Sequence, residues 1–193
     1  MKKLIAVITL ALMPLTGMAA GGGNVHLEMA NIDLSNHAAI QRGAKHFVNY
    51  CMGCHSAKYV RYKLFTEVGL TEDDIKNNLI FSDAKVGDLM KIAMPEAEAA
   101  NWFGAPAPDL TLTARIRHGG ADWIYTYLKG FYADPSRPMG VNNTVFSNVG
   151  MPHVLWEMQG IQNPVYRYEV HHDGHIGASF DTEAAADAYA REQ

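Results

Sequence analysis

The 193-residue chain has few cysteines, no excess of positive charge and no repeats, and each of these excludes a class of protein. It contains only two cysteines, Cys51 and Cys54, and a loop closed between such near neighbours is too short for a disulfide to stabilise much of a fold. Positive charge is not in excess, because 16 Lys and Arg stand against 20 Asp and Glu, so the composition argues against a nucleic acid partner. The chain also contains no internal repeat and no low-complexity segment. Its apolar content of 48% is enough to build the core of one domain.

One long apolar run is present, at the N-terminus. Met1-Lys2-Lys3 precedes the apolar residues 4–15, and small residues lead to Ala20. This order predicts a signal peptide over residues 1–20, cleaved on export, and one mature domain over residues 21–193. The alternative is an uncleaved anchor, but the strongly apolar part is shorter than the roughly 17 residues that span a bilayer. Cleavage removes Lys2 and Lys3 and changes the formal charge from −4 to −6, with 14 basic and 20 acidic residues left.

The sequence Cys51-Met52-Gly53-Cys54-His55 matches C-x-x-C-H, the covalent attachment motif of a c-type haem. On a helical turn, positions i, i+3 and i+4 share a face, so two thiols reach the haem vinyl groups while the imidazole reaches the iron. We therefore predict one covalently attached haem c per chain. Cys51 and Cys54 are the predicted tethers, His55 is a predicted axial ligand, and one-electron transfer is the predicted chemistry.

Two other uses of the motif are possible in principle. A thioredoxin-like site requires a strand before the motif, whereas apolar residues with helical spacing precede it here. A zinc site requires two more ligands, which His171 and His175 offer at H-x-x-x-H spacing. However, 116 residues separate Cys54 from His171, far more than in compact zinc motifs. The haem interpretation agrees with both the export signal and the lack of further thiols.

A methionine is the expected sixth ligand if the electron acceptor is oxidising, because methionine raises the reduction potential relative to a second histidine. Met139 and Met151 lie in loops between glycine and proline, and the residues alone do not separate them. Other methionines lie on helical patterns that are typical of core packing, namely Met90, Met94 and Met158.

The segment Arg115-Ile116-Arg117-His118-Gly119-Gly120 offers further candidates. His118 is a third possible iron ligand, although a histidine before a glycine pair is also typical of a helix C-terminus. Arg115 or Arg117 can pair with a haem propionate through a bidentate contact.

Hydrophobic periodicity predicts a mostly helical chain. A helix capped at Ser35 or Asn36 delivers the haem motif at its end, and Gly43 within it indicates a close helix crossing. The other predictions are helices over residues 86–93 and 121–132, an ordered loop over 101–109, an irregular stretch over 133–152, a small hairpin of residues 165–170 and 176–180, and a final helix after Asp181-Thr182.

Several short blocks span most of the predicted mature chain. They are Gly43-Ala44, Val48-Asn49-Tyr50 followed by C-x-x-C-H, Pro106-Ala107-Pro108-Asp109-Leu110, Arg117-His118-Gly119-Gly120 and Asn148-Val149-Gly150-Met151-Pro152. In these blocks, their order and their separations, the chain resembles the cytochrome c1 family, the haem subunit of the cytochrome bc1 quinol:cytochrome c oxidoreductase complex.

The resemblance implies a modified class I cytochrome c fold, mostly α, with long inserted loops. It also implies that Met151 is the second axial ligand, that Arg117 lies by a haem propionate and that Pro108 belongs to the loop covering the haem. The implied partners are cytochrome b, a Rieske iron–sulfur subunit as electron donor, and a soluble or membrane-attached cytochrome c as acceptor.

The implied location is the periplasmic face of a bacterial inner membrane. Family members continue into a C-terminal transmembrane anchor, and residues 187–193 contain no apolar run that would begin one. We therefore expect membrane association through the complex. Two rival functions remain, a free soluble periplasmic cytochrome c and a haem enzyme of the peroxidase type with an open iron site.

Overall fold

The computed structural model describes residues 25–172 and 175–192, so the predicted signal peptide lies outside the described residues. The fold is mostly α with small antiparallel strand pairs, which confirms the predicted fold class. Its helices are α1 His37–His46, α2 Glu72–Asn78, α3 Glu96–Phe103, α4 Thr113–Ile116, α5 Gly120–Lys129, α6 Trp156–Gln159 and α7 Glu183–Glu192. Its strands are β1 Ala57–Arg61, β2 Leu89–Met90, β3 Phe131–Ala133, β4 Val141–Asn143, β5 Tyr168–His172 and β6 His175–Phe180.

The first helix carries the haem motif at its C-terminal end, as predicted. The side chain of Asn36 caps α1 by accepting a hydrogen bond from the backbone N–H of Ala39 at 3.0 Å. The helix continues as a π-helical turn over Phe47–Cys51. The predicted close crossing at Gly43 is wrong, because a Cβ added there would meet no atom within 4 Å.

The first hydrophobic cluster lies behind this helix. It is built from α1, α2, strands β1 and β2, and a 3₁₀ helix over Tyr62–Val68. Ile75 and Met90 are almost fully buried there, at 0% and 1% exposure. The complete set of buried members is Ala44, Val48, Ala57, Tyr62, Ile75, Leu79, Ile80 and Met90.

The helix predicted over residues 86–93 is wrong. Leu89 and Met90 form β2, which pairs with β1 in antiparallel fashion. The N–H of Lys63 bonds to the carbonyl of Val86 at 2.8 Å, and the N–H of Ile92 bonds to the hydroxyl of Ser56 at 3.0 Å. Tertiary partners therefore take the backbone groups that a local helix would have used.

The loop predicted over residues 101–109 begins later than expected. Residues up to Phe103 belong to α3, whose Glu- and Ala-rich start is strongly helix-forming. Gly104 ends this helix with a φ of +80°, in the left-handed region that suits glycine.

The second hydrophobic cluster contains Phe131, Val141 and Val149. Strands β3 and β4 pair with Phe131 opposite Asn143, so the long loop predicted over 133–152 is wrong for residue 133 and for residues 141–143, which lie in strands. An extended segment before α1 holds α5 from outside, because the N–H of Ala30 bonds to the carboxylate of Asp122 at 2.7 Å.

The predicted C-terminal hairpin is confirmed by the pairing of β5 with β6. Helix α7 follows it and packs on both strands. Among the residues that the structure describes, no helix is both long enough and apolar enough to cross a bilayer.

Candidate haem site

The haem motif forms one helical turn at the end of the π-helical segment. The N–H groups of Cys54 and His55 both bond to the carbonyl of Cys51, at 3.1 and 2.9 Å. The thiols of Cys51 and Cys54 are free and partly buried. The backbone thus has the turn that the spacing of the motif predicts.

His55 is held in the orientation and tautomer that a metal ligand requires. Its Nδ1 lies 2.7 Å from the carbonyl oxygen of Pro108, and the ring is 8% exposed. Because a carbonyl can only accept, Nδ1 carries a proton, and in the neutral ring Nε2 is then the nitrogen with the lone pair. Metal-binding histidines generally make such a bond through the nitrogen that does not bind the metal. The residues present therefore fit a haem iron at Nε2.

The segment around Pro108 is fastened to the chain that follows the motif. The N–H of Leu110 bonds to the carbonyl of Ser56 at 2.8 Å, and the N–H of Lys58 bonds to the carboxylate of Asp109 at 2.7 Å. Burial raises the pKa of Asp109, but hydrogen bonds from Thr111 and Lys58 outweigh it, so the net pKa is lowered. Asp109 is therefore ionised at neutral pH and able to hold the loop.

A cleft of about 270 Å³ opens between this loop and the motif. Its lining includes Cys54, Ser56, Met94, Ala99 and Pro106. Residues of the motif and residues on either side of Pro108 therefore border the same cleft.

Met151 lies against a column of aromatic rings built on α5. Trp123 stacks on Tyr127 with ring centroids 4.9 Å apart, and Tyr127 meets Phe131 edge to face at 5.3 Å. The hydroxyl of Tyr127 donates to the sulfur of Met151 at 3.5 Å. Met139 packs against the same hydrophobic cluster, but the hydroxyl of Tyr127 is directed to Met151.

Polar side chains hold the loop that carries Met151. The amide oxygen of Asn142 accepts from the N–H of Asn148 at 2.9 Å, and its amide nitrogen donates to Asp134 at 3.0 Å. The guanidinium of Arg137 donates to the carbonyl of Asn148 at 3.0 Å. Asn148 has a φ of +60°, a conformation that asparagine tolerates better than most residues.

Gly150 brings this loop against the end of α3. A Cβ at this position would lie 2.6 Å from the carbonyl oxygen of Phe103, closer than real Cβ atoms come. Phe103 is five residues before Pro108. The Met151 loop therefore approaches the chain that leads into the loop bound to His55.

Arg117 lies at the other end of the aromatic column. Its guanidinium carbon is 3.9 Å from the centroid of the Trp123 ring, within the range of a cation–π contact. Arg117 is half-buried and His118 is exposed. The exposure of His118 favours its interpretation as a residue at a helix end.

The structure thus brings the predicted site residues together in two groups. His55 and Pro108 share a hydrogen bond next to Cys51 and Cys54, whereas Met151 and Arg117 share one aromatic column. The approach of Gly150 to Phe103 connects the two groups.

The structure gives little support to a thioredoxin-like site or a zinc site at the motif. Burial raises the pKa of the Cys51 thiol, and the neighbouring Cys54 raises it further, whereas dithiol redox sites lower the pKa of the attacking thiol. Among the side chains that the structure describes, no three His, Cys, Asp or Glu residues form a group that could hold a metal ion. The side chain of His175, proposed for zinc, lies outside the described residues.

Several residues of the site were not predicted. The column of Trp123, Tyr127 and Phe131 has a spacing of four residues, a signal present in the sequence. His153 ends the column by stacking on Phe131 at 4.9 Å, and its Nε2 lies 3.1 Å from the carbonyl of Gly160. No local pattern marks His153, because its partners come from separate elements.

Comparison with known proteins shows the family of the chain. A family model described as the Cytochrome C1 family matches residues 30–176. The cytochrome c1 of Allochromatium vinosum is 54% identical over 166 residues, which are 86% of this chain and 67% of that protein. The ammonia monooxygenase gamma subunit of Nitrosomonas europaea is 48% identical over 143 residues, covering 74% of this chain and 60% of that protein. The mitochondrial cytochrome c1 of Schizosaccharomyces pombe is 30% identical over 131 residues, covering 58% of this chain and 43% of that protein.

A mostly helical fold with a C-x-x-C-H turn defines an electron-transfer protein of the haem c class. More specifically, the chain belongs to the cytochrome c1 family, whose members carry covalently bound haem c and act in respiratory electron transport. The predicted family and cofactor are thereby confirmed. The chain spans 67% of the length of the Allochromatium protein and smaller shares of the other two.

Proposed function

We propose that this chain is the haem-carrying electron-transfer domain of a cytochrome bc1 complex. In this proposal, Cys51 and Cys54 would form the thioether bonds that hold one haem c, and His55 Nε2 and Met151 Sδ would bind its iron. The chain receives single electrons from a Rieske iron–sulfur subunit and passes them to a soluble or membrane-attached cytochrome c. Family membership and the His55 geometry support it.

The observation that carries the proposal is the 2.7 Å contact between His55 Nδ1 and the carbonyl of Pro108. This contact fixes the free lone pair at Nε2 on the same turn as both thiols. When bound, haem c supplies reversible one-electron exchange at its iron. The protein would contribute the tethers and the oriented imidazole, and Arg117 would pair with a propionate.

The family and the predicted signal peptide support the proposed location and partners. We place the mature domain on the periplasmic face of the inner membrane, where it associates with cytochrome b and the Rieske subunit. A formal charge of −6 after cleavage favours a basic soluble acceptor, because opposite charge raises the rate of encounter.

The axial ligands are tested by two leucine variants of the purified holoprotein. Met151→Leu should abolish the far-red charge-transfer band of methionine-ligated ferric haem, because leucine has no lone pair for the iron. Met139→Leu is the matched control, since Met139 packs against the same cluster, and it should keep the band. Loss of the band in Met139→Leu alone would show that the ligand assignment is wrong.

The place of the chain in a complex is tested by purification from membranes of the native host. Cytochrome b and Rieske subunits should co-purify with the chain, whereas a free carrier would elute alone. Carbon monoxide should not bind the reduced protein at neutral pH, because both axial positions are filled. Rapid binding of carbon monoxide would instead support the rival haem enzyme with an open iron site.

A further inference from the structure

The Tyr127 hydroxyl has a specific relation to the side chain proposed as the second iron ligand. Its oxygen lies 3.5 Å from the sulfur of Met151, which is a normal distance for a hydroxyl bonded to a thioether. Tyr127 and Met151 belong to different elements, 24 residues apart, so the contact depends on tertiary packing rather than on local chain geometry.

The ring of Tyr127 has little freedom to turn away from Met151. Trp123 stacks on it with an interplanar angle of 13°, and Phe131 meets it at 71°. The backbone carbonyl of Tyr127 is also held, because the buried amide of Asn143 donates to it at 2.7 Å. Both the ring and its backbone are therefore fixed by neighbours.

The hydroxyl of Tyr127 is the donor in its contact with Met151. A thioether has no proton to give, so the direction of the bond is from the oxygen of Tyr127 to the sulfur of Met151.

We propose that Tyr127 is a positioning residue that orients the Met151 thioether toward the iron and raises the reduction potential of the haem. This inference rests on the proposed function, because it requires Met151 to be the axial ligand. A thioether sulfur has two lone pairs. If one binds iron, the other can accept the Tyr127 hydrogen bond.

The sign of the effect follows from simple electrostatics. A hydrogen bond donated to the sulfur withdraws electron density that the sulfur would otherwise give to the iron. The ferric ion depends on this donation more than the ferrous ion, so the hydrogen bond favours the reduced protein. Hydrogen bonds around a metal site are an established means of tuning its potential.

A second tyrosine–methionine pair provides a matched control. The hydroxyl of Tyr62 lies 3.5 Å from the sulfur of Met52, and Tyr62 is 3% exposed. Met52 lies between the two cysteines of the motif and is not the proposed ligand. Tyr62→Phe therefore removes the same group from a similar contact without touching Met151.

The experiment compares wild-type, Tyr127→Phe and Tyr62→Phe holoproteins by redox titration and by the far-red charge-transfer band. Phenylalanine keeps the ring that packs between Trp123 and Phe131. Tyr127→Phe should shift the equilibrium toward the oxidised form by up to about tenfold, which is about 59 mV for a one-electron couple. Tyr62→Phe should leave the potential unchanged within error. The methyl resonance of the ligand methionine in the reduced protein should move only in Tyr127→Phe, because only there does the thioether lose its hydrogen bond.

An unchanged potential in Tyr127→Phe, with the far-red band intact, would overturn the inference while leaving the proposed function in place. Equal shifts in both variants would also overturn it, because they would show a general effect of burial. If the band persists in Met151→Leu, the ligand assignment fails and the inference fails with it. These results are separate in the spectra, so the two failures are distinguishable.

Discussion

At the scale of single residues, the Met151 loop depends on a few side chains that each make several contacts. Asn143 is 2% exposed, and its amide nitrogen donates to the carbonyl of Tyr127 at 2.7 Å. Its amide oxygen accepts from the N–H groups of Val145 at 2.9 Å and Phe146 at 3.3 Å. The side chain of Asn143 therefore connects α5 to the start of the loop that carries Met151.

Asn143→Ala should lower the free energy of unfolding by about 1–3 kcal/mol, because buried backbone groups lose their partners. Thermal or denaturant unfolding of the holoprotein measures this change. Asn78→Ala is the control, since Asn78 makes one exposed contact, to the carbonyl of Asp74 at 2.9 Å. We expect its effect to stay within about 0.5 kcal/mol. Equal effects of the two changes would contradict the role given to Asn143.

Gly150→Ala should disturb the approach of the loop to α3. The added Cβ would lie 2.6 Å from the carbonyl oxygen of Phe103, so backbone must move. We expect destabilisation by about 1–3 kcal/mol, the usual cost of overpacking, and a weaker far-red band. Gly87→Ala is the control, because a Cβ there would meet no atom within 4 Å. A native band and native stability in Gly150→Ala would show that the loop can shift without consequence.

At the scale of elements, α1 and its π-helical continuation position the motif. The N–H of Met52 bonds to the carbonyl of Phe47 at 2.9 Å, one residue further back than in an α-helix. Such widened turns are frequent at functional sites, and here the turn ends at Cys51, the first residue of the motif. By contrast, no close contact in the described part of the chain requires a glycine at position 43 of α1.

Gly43→Ala should therefore stabilise the protein. The position is exposed within α1, and an added Cβ would meet no atom within 4 Å. Alanine is favoured over glycine in a helix by about 0.5–1 kcal/mol, so the free energy of unfolding should increase by about that amount. Chemical denaturation measures it. A variant that is less stable than the wild type would contradict this expectation.

At the scale of the whole molecule, the two hydrophobic clusters differ in size. Among the described residues, the first contains eight buried side chains with Met52 of the motif packed against them, whereas the second contains three with Met151 packed against them. In the proposed ligation, His55 and Met151 connect these two parts through the same iron. A ligand that binds only the folded state stabilises it, so haem should contribute to the cohesion of the molecule.

A Cys51→Ala and Cys54→Ala double variant should lose covalent haem and unfold at a lower temperature than the holoprotein. Hydrogen exchange should increase more in residues 120–152 than in residues 37–90, because the smaller cluster retains fewer buried contacts. Haem staining of a denaturing gel checks the loss of the cofactor. Equal protection of the two regions in the double variant would show that the second cluster is stable without haem.

Features that depend on residues close together in the sequence could be predicted from the sequence. The C-x-x-C-H turn requires five consecutive residues, α1 follows from hydrophobic spacing, and the C-terminal hairpin follows from alternation and turn residues. The family blocks were readable for the same reason. By contrast, the helix predicted over residues 86–93 was wrong because Ser56 and Lys63, distant in sequence, take its hydrogen-bonding groups.

The sequence by itself thus determined the haem class, the helical character and the family of this protein. Tertiary structure alone decided that Pro108 orients His55 from 53 residues away, and that the Tyr127 hydroxyl meets Met151 rather than Met139. The physical reason is the range of the interactions. Helical periodicity and covalent attachment are local, whereas a hydrogen bond between loops exists only after the helices and clusters have fixed the distance between them.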